Sequence, residues 1–268
     1  MIKDLGCQLE NKEPVGSFSP SVYDTAWLAM IVKTDNGNPS MRFPVCWLYL
    51  LSTQDDNGGW PEYASDTDGI LNTMAATIAL RKCEEMPEIR PTSCTNDLLQ
   101  SRILAAEHYL RAKLNQWDVA ACVHVGFEIL VPALLGLLEH SFEKFEFPER
   151  QQLMDRNHSK LQKFCPETLY GKQKTTLLHS LEAFVGKIDF DKVAQHLDEH
   201  GSMMASPAAT AAYLIYCSEW DEAAEKYLEN LITIGSGNGT GGVPSAFPSS
   251  IFETSWVSAH YIDHNIDN

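Results

Sequence analysis

Positive charge is scarce in this sequence. Its 268 residues carry 20 Lys and Arg against 36 Asp and Glu, a formal net charge of −16. That balance excludes a binder of the nucleic-acid backbone, which needs a basic face. It leaves room for a local basic pocket around one small anion. Long apolar runs are missing as well: none reaches the roughly 18 residues of a membrane helix, so no membrane span is expected. The opening stretch MIKDLGCQLENKEP has neither the apolar core of a secretory signal nor the Arg- and Ser-rich character of a transit peptide, which points to a cytoplasmic protein. The cysteines Cys7, Cys46, Cys83, Cys94, Cys122, Cys165 and Cys217 are odd in number and form no CxxC pair. A disulfide framework and a zinc site are therefore not expected; reduced thiols packed in the core are.

What is present is helical periodicity. At 44% hydrophobic and 21% charged, the composition is globular. Ser21 to Val32 follows Ser19-Pro20 and sets Tyr23, Trp27, Leu28 and Ile31 on one face. Val45 to Leu51 is a short apolar run, closed by the loop QDDNGGWP. Ile70 to Cys83 comes next, then a helix with Asn96 as N-cap running to about Leu114. Val123 to Phe142 is long and apolar, with a kink or break expected at Pro132. Gln151 to Phe164, Lys174 to Val185, Phe190 to Glu199, Pro207 to Tyr216, Glu222 to Ile234 and Ile251 to Ile262 complete about eleven helical segments. No strand pair and no fixed-period repeat is evident. Helix pairs on short turns, with small residues at Ala75, Ala76 and Ala208 to Ala212, predict an all-α fold of the helical (α/α) barrel kind.

Seven segments, in order, resemble a known family. They are Ser19-Pro20-Ser21-Val22-Tyr23-Asp24-Thr25-Ala26-Trp27, Gln54-Asp55-Asp56-Asn57-Gly58-Gly59-Trp60, Ile70-Leu71-Asn72-Thr73-Met74-Ala75-Ala76, and Val125-Gly126-Phe127-Glu128 with Pro132-Ala133-Leu134-Leu135. Thr175-Thr176-Leu177-Leu178-His179-Ser180-Leu181-Glu182, Ser206-Pro207-Ala208-Ala209-Thr210 and Gly241-Gly242-Val243-Pro244-Ser245-Ala246-Phe247-Pro248 follow. Together they resemble the N-terminal, γ-domain region of class II diterpene cyclases of the copalyl diphosphate synthase type, in the form found in fungal bifunctional synthases. The resemblance implies one helical γ-like domain over 1–268, whose first and last segments can belong to an adjoining β domain of the same polypeptide.

It also implies a chemistry. In that family, an aspartate of a DxDD motif on β protonates the terminal alkene of geranylgeranyl diphosphate. A carbocation cascade then closes two rings and keeps the diphosphate, with γ forming one wall of the site. This chain contains no DxDD; the nearest approach is Asp66-Thr67-Asp68-Gly69, read as a loop and helix cap. The chain alone is therefore expected to be inactive.

The resemblance carries over to particular residues. His179 takes the position of a histidine that, with an asparagine, holds the water receiving the terminating proton, and a neutral imidazole is a sufficient base for so acidic a cation. Ser245 stands where that asparagine is expected. Lys160 aligns with a diphosphate-binding lysine, with Lys163 as the fallback, in a locally basic stretch that also holds Lys172 and Lys174. Glu128 and Asp118 are what remains of an acidic stretch that the family links to Mg2+. Each residue also has a plain structural reading: a helix histidine bonded to a carbonyl, a solvated lysine face, a buried carboxylate bonded to a neighbouring helix. Tyr23, Asp24, Trp27 and Trp60 read as packing and capping residues. Two other functions stay open, a noncatalytic helical binding or scaffold module and a glycosidase using Asp55/Asp56 or Asp66/Asp68.

Overall fold

A computed structural model of the protein describes residues 16–91, 94–234, 237, 239–250 and 252–256. Helix α1 (Val22–Ala29) begins where the hydroxyl of Ser21 accepts from the Asp24 amide at 3.2 Å. Every residue of α1 but Tyr23 is buried, because helices pack around it. Helices α2 (Pro44–Thr53) and α3 (Asp66–Glu85) lie against it from the N-terminal half of the chain, and α7 (Pro207–Tyr216) from the C-terminal half. Between them come α4 (Asn96–Gln116), α5 (Phe127–Leu138) and α6 (Arg150–Leu161), and after α7 comes α8 (Glu222–Ile234). Helix α3 packs on α4 and α5, α5 on α6, and α7 on α8. Ala75, Ala76, Ala208, Ala209, Ala211 and Ala212 are all buried, and their small side chains let α3 and α7 approach α1 closely.

The loop after α2 is a packing device. Gly58 sits at φ +88°, and a Cβ there would lie 2.4 Å from the carbonyl oxygen of Ala105 on α4. Gln54 donates to the carbonyls of Gly58 (2.8 Å) and Arg102 (3.0 Å), and the indole of buried Trp60 donates to the Leu50 carbonyl at 3.0 Å. Asp55 and Asp56 therefore belong to a turn that clamps α2 to α4.

The structure departs from the sequence reading in four places. Strands do occur: β1 (Pro20–Ser21) pairs antiparallel with β4 (Val243–Pro244), and β2 (Val32–Asp35) with β3 (Asn38–Met41). The second pair turns on Asn36-Gly37, both at positive φ, which is the favoured chemistry of a two-residue hairpin. The segments expected as helices over 174–185 and 190–199 are 3₁₀ turns at Thr176–Phe184 and Phe190–His196. Ser180 breaks the first with φ −135° and ψ 45°, which lets Leu178, Leu181 and Glu182 all turn inward. Thr95 rather than Asn96 caps α4, accepting from Leu98 at 3.2 Å. Helix α5 continues through Pro132 without a break but starts only at Phe127.

Of the last expected helix, residues 252–256 are helical, while Ile251 and 257–262 lie outside the described residues, as does Cys7. The six described cysteines are free thiols, Cys46, Cys83 and Cys94 buried. Among the described residues no helix is long and apolar enough to cross a membrane.

Candidate functional site

Two cavities share the first turn of α5 as a wall. The larger, about 660 Å³, opens between the Ser17–Ser21 strand entry, the start of α3 and the loop before α5. Phe18, Tyr63, Leu71 and Leu130 give it apolar and aromatic walls; Tyr23, Asp68, His124 and Ser245 give it polar points. A concave, mainly apolar cavity with a few converging polar groups is what a small-molecule site requires. On either side of His124, Val123 and Val125 are 89% and 93% exposed, an apolar rim that water does not favour.

The loop carrying His124 is fastened to α3. The Trp117 indole donates to the Thr67 hydroxyl at 3.1 Å, and the Cys122 sulfur lies 3.2 Å from the same oxygen. Asp68 closes a capping box at the start of α3, accepting from the amides of Ala64 (2.8 Å) and Ser65 (2.9 Å), and its other oxygen is 3.2 Å from Nδ1 of His124.

Behind the wall lie two buried carboxyls. Tyr23 donates its hydroxyl to Glu182 at 3.2 Å, and the second oxygen of Glu182 has no partner. Burial pushes Glu182 up to about 8. Asp24 receives the Ser21 hydroxyl (2.7 Å) and the Ala208 amide at the start of α7 (3.1 Å), yet burial still raises it to about 7. The expected capping role of Asp24 is thus directed at α7 as well as at its own helix.

The second cavity, about 570 Å³, lies between α5 and α6 and is bordered by Glu128, Asp155, Arg156, Lys160 and Lys163. Three cations there face two carboxylates. Lys160 Nζ is 3.0 Å from Glu128 Oε1. Burial disfavours the charged form of Glu128, but its own backbone amide, Lys160 and Arg156 outweigh this and hold it below the usual carboxylate range.

The sequence-derived residues therefore divide. Lys160, Lys163 and Glu128 come together. Ser245 stands on the larger cavity. His179 is exposed on the segment Thr176–Phe184, crowded enough that desolvation lowers its pKa, and no hydrogen bond joins it to Ser245. Asp118 accepts the Ala121 amide at 2.9 Å, away from Glu128's ion pair. Among the described residues no group of three His, Cys, Asp or Glu side chains could hold a metal ion. Glu128 is engaged by Lys160 and Asp118 by the Ala121 amide. Asp66 pairs with Lys113 at 3.1 Å, and Asp66 and Asp68 serve the helix start rather than a pair of glycosidase carboxyls. Sequence reasoning missed His124, which stands two residues before Gly126 in a resembling segment, and Glu182, a carboxylate inside an apolar run.

The site thus joins an apolar cavity to a basic one on a helical scaffold, and the comparisons with known proteins point to one group of relatives. The chain is a homologue of diterpene cyclases. It is 46% identical over 256 residues to a copalyl diphosphate synthase of Talaromyces verruculosus, covering 96% of this chain and 26% of that protein. It is 49% identical over 243 residues to a phyllocladan-16-alpha-ol synthase of Phomopsis amygdali, covering 90% of this chain and 24% of the relative. It thus spans about a quarter of the length of these relatives. Among solved structures it is similar to an ent-copalyl diphosphate synthase of Arabidopsis thaliana in complex with a dihydrogeranylgeranyl thiolodiphosphate analogue, with a TM-score of 0.74 and 27% identity over 90% of this chain and 33% of the other. An abietadiene synthase of Abies grandis gives a TM-score of 0.73, also at 27% identity. No family model matches.

Proposed function

We propose that this chain forms one wall of a class II diterpene cyclase site, in which geranylgeranyl diphosphate is protonated and closed to a copalyl-type bicyclic diphosphate. The observation that carries the reading is the apolar cavity bearing Ser245, rimmed by exposed Val123 and Val125 and adjoined by the basic cavity of Lys160 and Lys163. The hydrocarbon chain belongs in the first and the diphosphate at the second, where Lys163 and Arg156 supply charge beyond the Lys160–Glu128 pair. Covering the valine rim falls to a β domain of the same polypeptide, which also supplies the acid that this chain lacks. Ser245, on the cavity, and His179, exposed on the segment Thr176–Phe184, are the residues to which the family resemblance gives a part in termination. No step is assigned to Mg2+.

The test is turnover of geranylgeranyl diphosphate by the full-length synthase and by these 268 residues alone, with products identified by gas chromatography and mass spectrometry after dephosphorylation. The full-length protein is expected to give a bicyclic product and the chain alone none. Absence of product from the full-length protein overturns the reading in favour of a noncatalytic module. Turnover by the chain alone shows the acid to be misplaced.

A further inference from the structure

We propose that His124, oriented by Asp68, is a catalytic base of the larger cavity and takes the proton that ends the cation cascade. The inference rests on the cyclase reading above but adds a residue pair to it. Asp68 cannot swing away without giving up the helix cap, because its Oδ2 holds the amides of Ala64 and Ser65 while Oδ1 faces His124. The histidine is fixed from the other side, since its loop is fastened to Thr67 through Trp117 and Cys122. Nδ1 lies 3.2 Å from Asp68 Oδ1, and in the proposed base it is the nitrogen that carries the proton. Nε2 has no hydrogen-bond partner among the described residues, and the ring lines the cavity together with Tyr23 and Ser245. A base whose far nitrogen is held by an anchored carboxylate is the arrangement that general-base chemistry uses.

The surroundings select the substrate class. Phe18, Tyr63, Leu71 and Leu130 suit a hydrocarbon, and aromatic faces tolerate a carbocation. An anionic head would meet Asp68 here and is better placed at the lysine cavity. In the terminating step, the C–H bond beside the cationic carbon breaks and its electron pair becomes the π bond of the new alkene. The proton passes to Nε2, directly or through one water, and the imidazolium is stabilised by Asp68 until it returns the proton to solvent.

Three measurements decide it. In the full-length synthase, His124→Ala should lower the ratio of the wild-type alkene to hydroxylated or rearranged bicycles about tenfold, with substrate consumption changed far less. Asp68→Asn should do the same while folding normally. Its amide oxygen can keep the cap, but its NH2 group then faces Nδ1 and forces the ring proton onto Nε2, removing the acceptor. Nitrogen-15 NMR of the imidazole in the 268-residue chain should show Nδ1–H in the wild type and Nε2–H in Asp68→Asn. Unchanged products from both variants, or an Nε2–H tautomer in the wild-type chain, would overturn the proposal. A wild-type synthase that makes no bicyclic diphosphate would instead overturn the cyclase reading, and the tautomer would still report on the pair.

Discussion

Asn157 donates its side-chain amide to the backbone carbonyl of Glu128 at 2.7 Å. That carbonyl sits four residues before Pro132, which has no N–H to offer it, so a residue of α6 completes a bond that α5 cannot make for itself. This explains how α5 passes through its proline unbroken, and it joins the two walls of the basic cavity. Asn157→Ala is expected to destabilise the chain by about 1–2 kcal/mol, the cost of leaving a partly buried acceptor unpaired. Thermal denaturation of the variant checks this; an unchanged midpoint would show that α5 holds without help.

Stability should also depend on pH in a particular direction. Asp24 and Glu182 stand at about 7 and about 8 in the folded chain, above their ordinary values of 3.8 and 4.5. The folded state binds these protons more tightly than the unfolded state does. Stability linked to them is therefore full below the ordinary values and is lost as pH rises through about 7 and 8. Glu225 works oppositely: burial disfavours its charge, but Lys33, Trp220 and Arg42 prevail and lower it to about 2. Its contribution is present above 4.5 and lost as pH falls toward 2. Urea midpoints should be higher at about pH 5.5 than at about pH 8.5, and Glu182→Gln should flatten that slope. A flat wild-type profile would contradict it.

Gly58→Ala tests the clamp between α2 and α4. A side chain there meets both a positive φ and the Ala105 backbone. The loss should reach at least about 2 kcal/mol, read by urea denaturation. A neutral outcome would mean that the loop can be rebuilt without its contact to α4.

The basic cavity should bind inorganic pyrophosphate. Lys163→Ala is expected to weaken that binding about threefold, the scale of a solvent-exposed charge pair, with attraction fading as salt rises. Lys160→Ala should cost as much or more, because it also leaves Glu128 facing the anion unpaired. Calorimetric titration of the chain distinguishes these outcomes; no heat at low salt would leave the lysines as a solvated face.

Ser245→Ala in the full-length synthase should alter the product mixture more than the rate of substrate consumption, because Ser245 borders the cavity while the proposed function assigns the initiating acid to the β domain. His179→Ala should alter it less, given its exposed position. A larger effect from His179 would place it nearer the reacting cation than its position in this chain implies.

The helices were legible wherever burial follows a 3.6-residue period and the ends carry local signals. Pro207 to Tyr216 and Glu222 to Ile234 match their expected bounds because a Ser-Pro start and a strongly amphipathic run decide them. The segment 176–184 was not legible as 3₁₀, since its path is set by where Leu178 and Glu182 must be buried, not by propensity. The β2–β3 hairpin was legible in Asn36-Gly37 but overlooked among helical patterns. At the site, Lys160 and Lys163 could be found because charge stands out in an acidic chain. The pairing of His124 with Asp68 could not, because it joins positions 56 residues apart whose meeting depends on Trp117 and Cys122 docking on Thr67.

The pairing of Pro20 with Pro244 and Ser21 with Val243 is small, but it has company: the Ser17 amide donates to Glu253 at 2.7 Å, and the rings of Phe18 and Phe252 meet edge to face at 5.5 Å. The polypeptide thus enters and leaves this block of more than two hundred residues at one point. For any host into which it is spliced, such a block is topologically a short surface loop, because the ends it presents are already adjacent. The host need not wait for an open span of this length to close upon itself.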